Sequence, residues 1–128
     1  MADQPSILIV DDDPDQTDIL AHSLGKQGYA TATASTGEDG LSMARNEHPD
    51  LVLMDIRLPD MDGLTICRQL NDDPSTCEIP VIILSAMERP DIIRRSRSAG
   101  CQYYLRKPYD PNALLLLVES ALHESHDW

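Results

Sequence analysis

Aromatic side chains are scarce in this chain of 128 residues: they make up 4% of it, and phenylalanine is absent. A core must therefore be assembled from Leu, Ile, Val, Ala and Met. Positive charge is scarce as well. Ten Lys and Arg stand against 22 Asp and Glu, a formal net charge of −12. Nucleic-acid binding relies on Lys and Arg to neutralise phosphates, so this balance argues against direct nucleic-acid contact. It favours a cationic or metal partner. No apolar run approaches the roughly 20 residues of a membrane span, and no signal-peptide pattern opens the chain. A membrane partner is not expected. Cys67, Cys77 and Cys101 are odd in number and lack CxxC spacing. Reduced, partly buried thiols are expected from this, rather than a disulfide or a metal site. A cytoplasmic location is the corresponding expectation.

What remains is ordinary for a globular protein, with 41% apolar and 25% charged residues. The length suits one domain over residues 1–128, its core between about Ser6 and His123. Its organising stretch is Leu51-Val52-Leu53-Met54-Asp55, an apolar run that ends in a carboxylate. Such a run suits a strand buried on both faces. The design recurs: Ile7 to Val10 leads into Asp11 and Asp12, Val81 to Leu84 into Ser85, and Tyr103 to Leu105 into Arg106 and Lys107.

Helical signals separate these strands. Asp13-Pro14 reads as a cap followed by Pro in the first turn, and Ile19, Leu20, Ser23, Leu24 and Gln27 trace one face before Gly28. Tyr29 to Ala34 alternates Thr and Ala, a weak strand suited to a sheet edge. Ser35 and Glu38 fit a capping box for a second helix. Asp62 can cap a third helix through Leu64, Cys67, Arg68 and Leu70, and Asn71 to Pro80 reads as turns. A fourth helix is predicted around Asp91 to Ala99, closed by Gly100. A fifth runs from Asp110-Pro111 to about His123. Five βα units in alternation imply an α/β fold with a parallel sheet between two layers of helices.

If the strands are parallel, Asp11, Asp12, Asp55, Ser85 and Lys107 meet at the carboxyl edge of the sheet, where open α/β sheets bind ligands. Three carboxylates at close range either raise a carboxyl pKa or recruit a cation. All-oxygen ligands suit Mg²⁺, which retains several waters on one or two carboxylates. An ammonium and a hydroxyl are the groups that hold a transferred phosphoryl group. An aspartate can itself carry that group as an acyl phosphate.

Val10-Asp11-Asp12-Asp13, Met54-Asp55, Leu58-Pro59-Asp60-Met61-Asp62-Gly63-Leu64, Leu84-Ser85-Ala86 and Lys107-Pro108, taken in order, resemble the receiver domain of two-component response regulators. The resemblance covers about Ser6 to His123. It implies a flavodoxin-like (βα)5 doubly wound sheet of strand order 2-1-3-4-5 in three layers. It implies Asp55 as the phosphoacceptor, fed by a sensor histidine kinase or phosphotransfer protein. Asp12 would be a direct Mg²⁺ ligand, Asp11 would act through metal-bound water, and the Arg57 main-chain carbonyl would be a further ligand. Ser85 and Lys107 would bind the phosphoryl group, Ser85 and Tyr104 would form the switch, and the bond to Pro108 would be cis. Arg57 and Met87 fall where side chains tune the lifetime of the phosphorylated state.

The resemblance also places an output face on the fourth helix, fifth strand and fifth helix, meeting a downstream protein or a second copy. Arg89, Arg94, Arg95, Arg97, Arg106 and Lys107 are six of the ten basic residues and fall within nineteen positions there. Leu114 to Leu117 adds four leucines, at least half of them expected in the core. No enzyme of external turnover is expected. A phosphatase of the haloacid dehalogenase type would use Asp55 as nucleophile but wants an acid two residues on, where Arg57 stands. A flavin carrier wants a phosphate loop after the first strand, and Asp11-Asp12-Asp13 would repel a phosphate. A degenerate receiver acting as a scaffold is a further alternative. The start Met and the terminal helix lean toward a stand-alone regulator.

Overall fold

The computed structural model describes residues 4–85, 90–101 and 103–125. Strands and helices alternate along the chain: β1 (Ser6–Val10), α1 (Pro14–Lys26), β2 (Ala30–Ala34), α2 (Gly37–Glu47), β3 (Leu51–Asp55), α3 (Gly63–Asp72), β4 (Val81–Ser85), α4 (Pro90–Ser98), β5 (Tyr103–Arg106) and α5 (Pro111–Ser125). All strand pairs are parallel, in the order β2-β1-β3-β4-β5. The chain leaves β1 toward β2 and returns on its other side as β3. The order therefore reverses between β1 and β3, and a crevice opens beyond their carboxyl ends.

Successive strand residues point to opposite faces, so each apolar run supplies two cores. Leu8, Val10, Val52, Met54, Val81 and Ile83 pack against Leu41 and Ala44 of α2 and Leu64, Ile66 and Leu70 of α3. Ile7, Ile9, Leu51, Leu53, Ile82 and Leu84 pack against Leu20 and Leu24 of α1 and Leu114 and Val118 of α5. These are the two outer layers of a three-layer fold. Each fully buried aliphatic side chain contributes about 1.5–3 kcal/mol. The leucine run divides as its geometry requires. Leu114 is buried, Leu115 and Leu117 pack at the margin of the core, and Leu116 is 65% exposed.

Local signals set the helix ends. Asp13 caps α1 through the Asp15 amide at 3.0 Å, with Pro14 in the first turn. Asp62 caps α3 through the Leu64 amide at 2.8 Å. The expected capping box at Ser35 and Glu38 is displaced by one residue. Thr36, in extended backbone, is the cap of α2 and accepts the Asp39 amide at 3.1 Å. The Gly37 and Glu38 amides go instead to the carboxylate of Asp60, so a back-bond from Glu38 is not needed. Helix α3 runs two residues beyond Leu70, and the buried Thr76 hydroxyl donates to the Leu70 carbonyl at 2.7 Å. Gly100 closes α4 at φ +94°, where an L side chain is strained. Its amide donates to the Arg97 carbonyl and the Cys101 amide to that of Ser96, the paired bonds of a Schellman cap.

The cysteines depart from expectation. Cys67 and Cys101 form a disulfide, with Cα atoms 6.6 Å apart and a sequence separation of 34, and Cys77 is a free, exposed thiol. The expected set of three reduced thiols is thus corrected. CxxC spacing tests only neighbours along the chain, whereas these two side chains meet because α3 packs beside the turn that leads into β5. The cysteine count accordingly lends no support to a reducing compartment. No helix among the described residues is long and apolar enough to cross a membrane.

Candidate phosphoacceptor site

Three strand ends build the site. β1 delivers Asp11, whose amide still pairs with the Ala34 carbonyl of β2 at 3.1 Å. β3 delivers Asp55 as its last residue, in register with Leu84, and β4 delivers Ser85 one position beyond that pair. The Lys107 amide donates to the Ser85 carbonyl at 2.7 Å and so extends the pairing of β5 with β4 past Arg106. Lys107 is thereby turned back over the crevice. The Lys107–Pro108 peptide is cis.

One carboxylate oxygen from each of Asp11, Asp12 and Asp55 lies within 4.8 Å of the others. Asp11 is buried, Asp55 half-buried and Asp12 exposed. The Lys107 ammonium approaches Asp11 Oδ2 at 3.2 Å and Asp55 Oδ2 at 3.7 Å, bridging the two deeper acids. Asp11 Oδ1 accepts the Asp13 amide at 3.0 Å, and Asp55 Oδ1 accepts the Arg57 amide at 3.3 Å. Each of these acids is held by the backbone two residues on, with its remaining oxygen turned into the crevice.

The electrostatics follow from crowding. Burial pushes the Asp55 carboxyl above its ordinary value; Lys107 opposes this, while Asp11 and Asp12 add to it. Burial alone would pull Lys107 down, but Asp55 and Asp11 outweigh it and raise its pKa. Carboxylates this close disfavour their joint ionisation and attract a cation. The donor set is entirely oxygen, with no imidazole or thiolate, and could hold a hard divalent ion such as Mg²⁺.

Gly63 sets the loop after Asp55. Its amide donates to the Ile56 carbonyl at 2.8 Å, and a Cβ there would collide with the Asp55 carbonyl. Arg57 and Asp62 pair as an antiparallel bridge, folding the loop back on itself. The Arg57 side chain is exposed. Tyr104 is half-buried against the core face lined by α2 and α3, and its register partner is Ile83. Met87 and Arg89 lie outside the described residues.

The basic cluster separates. Arg94, Arg95, Arg97 and Arg106 are exposed, while Lys107 belongs to the acidic site. Arg95 reaches Asp62, the cap of α3, at 3.5 Å. Two contributors were not singled out from sequence. Asp60 ties the loop to α2, as described above. Tyr109 lines a cavity of about 450 Å³ with Asp13, Gln16, Lys107 and Pro108. Burial raises its pKa, with Lys107 opposing and Asp11 adding. Its position directly after Lys107-Pro108 was the available signal.

Comparison with known proteins agrees with this geometry. The family model described as response regulator receiver domain matches residues 7–119. PilH of Pseudomonas aeruginosa is 40% identical over 116 residues, covering 91% of this chain and 96% of that protein. The transcriptional regulator RpaA of Synechocystis is 36% identical over 121 residues, covering 94% of this chain but 50% of that protein. This chain therefore spans about half the length of that relative. Among solved structures, a CheY-like receiver domain protein from Methanospirillum hungatei superposes with a TM-score of 0.91 at 31% identity. That match covers 96% of this chain and 97% of the other. The chain belongs to the response regulator receiver domain family.

Proposed function

We propose that this chain is a phosphorylation-activated switch in which Asp55 accepts a phosphoryl group from a sensor histidine kinase or phosphotransfer protein. The observation that carries the reading is the Lys107 ammonium poised between Asp11 and Asp55 at the mouth of a three-carboxylate crevice. An Asp55 oxygen attacks the phosphorus of a phosphohistidine, the P–N bond breaks, and an acyl phosphate forms on Asp55. Asp11, Asp12, Asp55 and the Arg57 carbonyl are the groups that would hold Mg²⁺. When bound, the ion neutralises charge between these acids and the incoming phosphoryl group.

Lys107 pairs with a phosphoryl oxygen and offsets the negative charge gained at Asp55. Ser85, one position beyond the Asp55–Leu84 pair, binds a second oxygen through its hydroxyl. Drawing Ser85 toward Asp55 vacates space at the end of β4, into which Tyr104 turns. That movement remodels the face of α4, β5 and α5 bearing Arg94, Arg97, Arg106 and Leu116, which meets a downstream protein or a second copy. Such coupling is typically about 1–3 kcal/mol and shifts populations between two states. A cytoplasmic location is part of this reading.

The chain acts as a phosphoacceptor and not as an enzyme of external turnover. A haloacid dehalogenase-type phosphatase needs an acid two residues after its nucleophile, and Arg57 stands there with its side chain exposed. The test is intact mass after incubation with acetyl phosphate, with and without Mg²⁺, beside Asp55→Asn. One phosphoryl group, lost without Mg²⁺ and in the variant, is the expected result. No addition under any condition overturns the reading in favour of a degenerate receiver serving as a scaffold.

A further inference from the structure

At the opposite end of the sheet from the acidic crevice lies a cavity of about 260 Å³, bordered by Cys67, Asn71, Cys77, Gly100 and Tyr103. Val81 also lines it; it and Tyr103 are the first residues of β4 and β5, whose last residues, Ser85 and Arg106, lie toward Asp55 and Lys107. The cavity follows a seam between α3 and the turn that joins α4 to β5. Two contacts close that seam. The Asn71 side chain fills the space where a Cβ on Gly100 would sit, and Cys67 is bonded to Cys101.

We propose that Cys67 and Cys101 form a reversible redox latch, opened and closed by thiol–disulfide exchange with a low-molecular-weight thiol couple of the glutathione class. Both residues are almost completely buried, at 1% and 2% exposure. Exchange with a buried disulfide requires a path to sulfur, and the cavity reaches Cys67 from solvent. Cys77, exposed, lines the same cavity. Cys67 and Cys101 also belong to an apolar cluster with Ile66, Leu70 and Ala99. Thiols pack there as small apolar groups, so the fold accommodates the open state.

Closure proceeds in two exchanges. A cysteine thiolate of the pair attacks the reagent disulfide, forming a mixed disulfide and releasing one reagent thiol. The second cysteine thiolate then attacks the protein sulfur of that mixed disulfide and releases the other reagent thiol. The protein loses two electrons and two protons; the reagent disulfide gains them as two thiols. Opening is the reverse. The closed latch fixes α3 to the turn two residues ahead of β5, the strand that carries Tyr104 and leads to Lys107. That consequence rests on the switch reading above; the latch chemistry does not.

The test uses the full chain carrying Cys77→Ser, so that only the pair is counted. The protein is equilibrated with oxidised or reduced glutathione, quenched in acid, alkylated with N-ethylmaleimide under denaturing conditions, and weighed intact. The oxidised sample is expected to carry no adduct, with peptide mapping joining Cys67 to Cys101. The reduced sample is expected to carry two adducts, and returning it to oxidised glutathione restores the first pattern. Amides of Arg97 to Cys101 are expected to exchange several-fold more slowly in the oxidised sample. Two adducts under every glutathione ratio would overturn the latch by showing no bond. A bond that reduced glutathione opens only after denaturation would overturn it by showing a fixed structural bridge. Repeating the count in Asp55→Asn keeps the result independent of phosphorylation.

Discussion

The carboxylate of Asp60 accepts the amide of Gly37 at 2.8 Å, so a residue of the loop after β3 ends a helix that lies 23 positions earlier in the chain. The second oxygen of the same carboxylate takes the Glu38 amide at 2.9 Å. The loop that carries Arg57 and follows Asp55 is thereby pinned to the first turn of α2. The anionic carboxylate also meets the positive end of the helix.

Those bonds, to Glu38 and then Gly37, hold the Asp60 carboxyl below its ordinary range. A carboxyl lowered in the folded state contributes stability that is present above its unfolded pKa and is lost as pH falls through the folded value. Asp60→Asn keeps an acceptor but removes the charge. Urea unfolding is therefore expected to show a deficit in the variant at neutral pH that shrinks in acid below the carboxylate range. A deficit of the same size at both pH values would show that the charge has no part in the cap.

Lys107 is the counter-charge of the crevice. Its pKa is raised because Asp55 and Asp11 outweigh the effect of burial. Stability from this ammonium is thus fully present below the ordinary lysine pKa and is lost as pH rises through the higher folded value. Lys107→Met removes it at neutral pH and leaves Asp11 buried without its cation. Metal-free protein is expected to lose about 1–3 kcal/mol. The same change removes a repulsion on any incoming cation, so calorimetric titration is expected to show Mg²⁺ binding about three- to tenfold tighter. Weaker Mg²⁺ binding in the variant would mean that Lys107 helps to organise the ligands rather than competing with the ion.

Most of the site was legible because its residues sit at the ends of strands buried on both faces. Leu51 to Met54 are all fully buried, so their run is continuous and Asp55 is forced to the edge. The weak strand at Ala30–Ala34 was legible for the opposite reason: it is an edge, and its Thr and Ala are largely half-exposed. What escaped was long-range. Asp60 takes two amides at the start of α2 from across the fold, and no local pattern at Ser35 could reveal that. The bond between Cys67 and Cys101 likewise depends on how α3 packs. The inward place of Lys107, by contrast, was legible from its position at the end of the fifth strand, and the exposed Arg94, Arg95, Arg97 and Arg106 are what remains of the basic run on the surface.

Gly63 shows how little room the loop leaves. A methyl group there would strike the Asp55 carbonyl and crowd the Ile56 backbone, neither of which can rotate away. Gly63→Ala is expected to cost about 1–3 kcal/mol in chemical unfolding, the range for forcing one extra carbon into a packed region. Because the displaced atoms include the Asp55 backbone, labelling by acetyl phosphate is, on the proposed function, expected to slow as well. A variant of unchanged stability and labelling rate would show that the loop can move outward without disturbing Asp55.

Arg57 separates what a backbone contributes from what a side chain contributes. Its amide donates to Asp55 Oδ1, and its backbone pairs with Asp62; both survive any substitution other than proline. Arg57→Ala is therefore expected to leave the extent of labelling by acetyl phosphate unchanged. On the proposed function, the exposed guanidinium shields an acyl phosphate on Asp55 from water. Removing it is expected to lower the hydrolytic barrier by about 1 kcal/mol, a half-life roughly fivefold shorter. The decay of phosphorylated protein after donor removal, followed by intact mass, measures this directly. An unchanged half-life would assign Arg57 to the loop's backbone geometry alone.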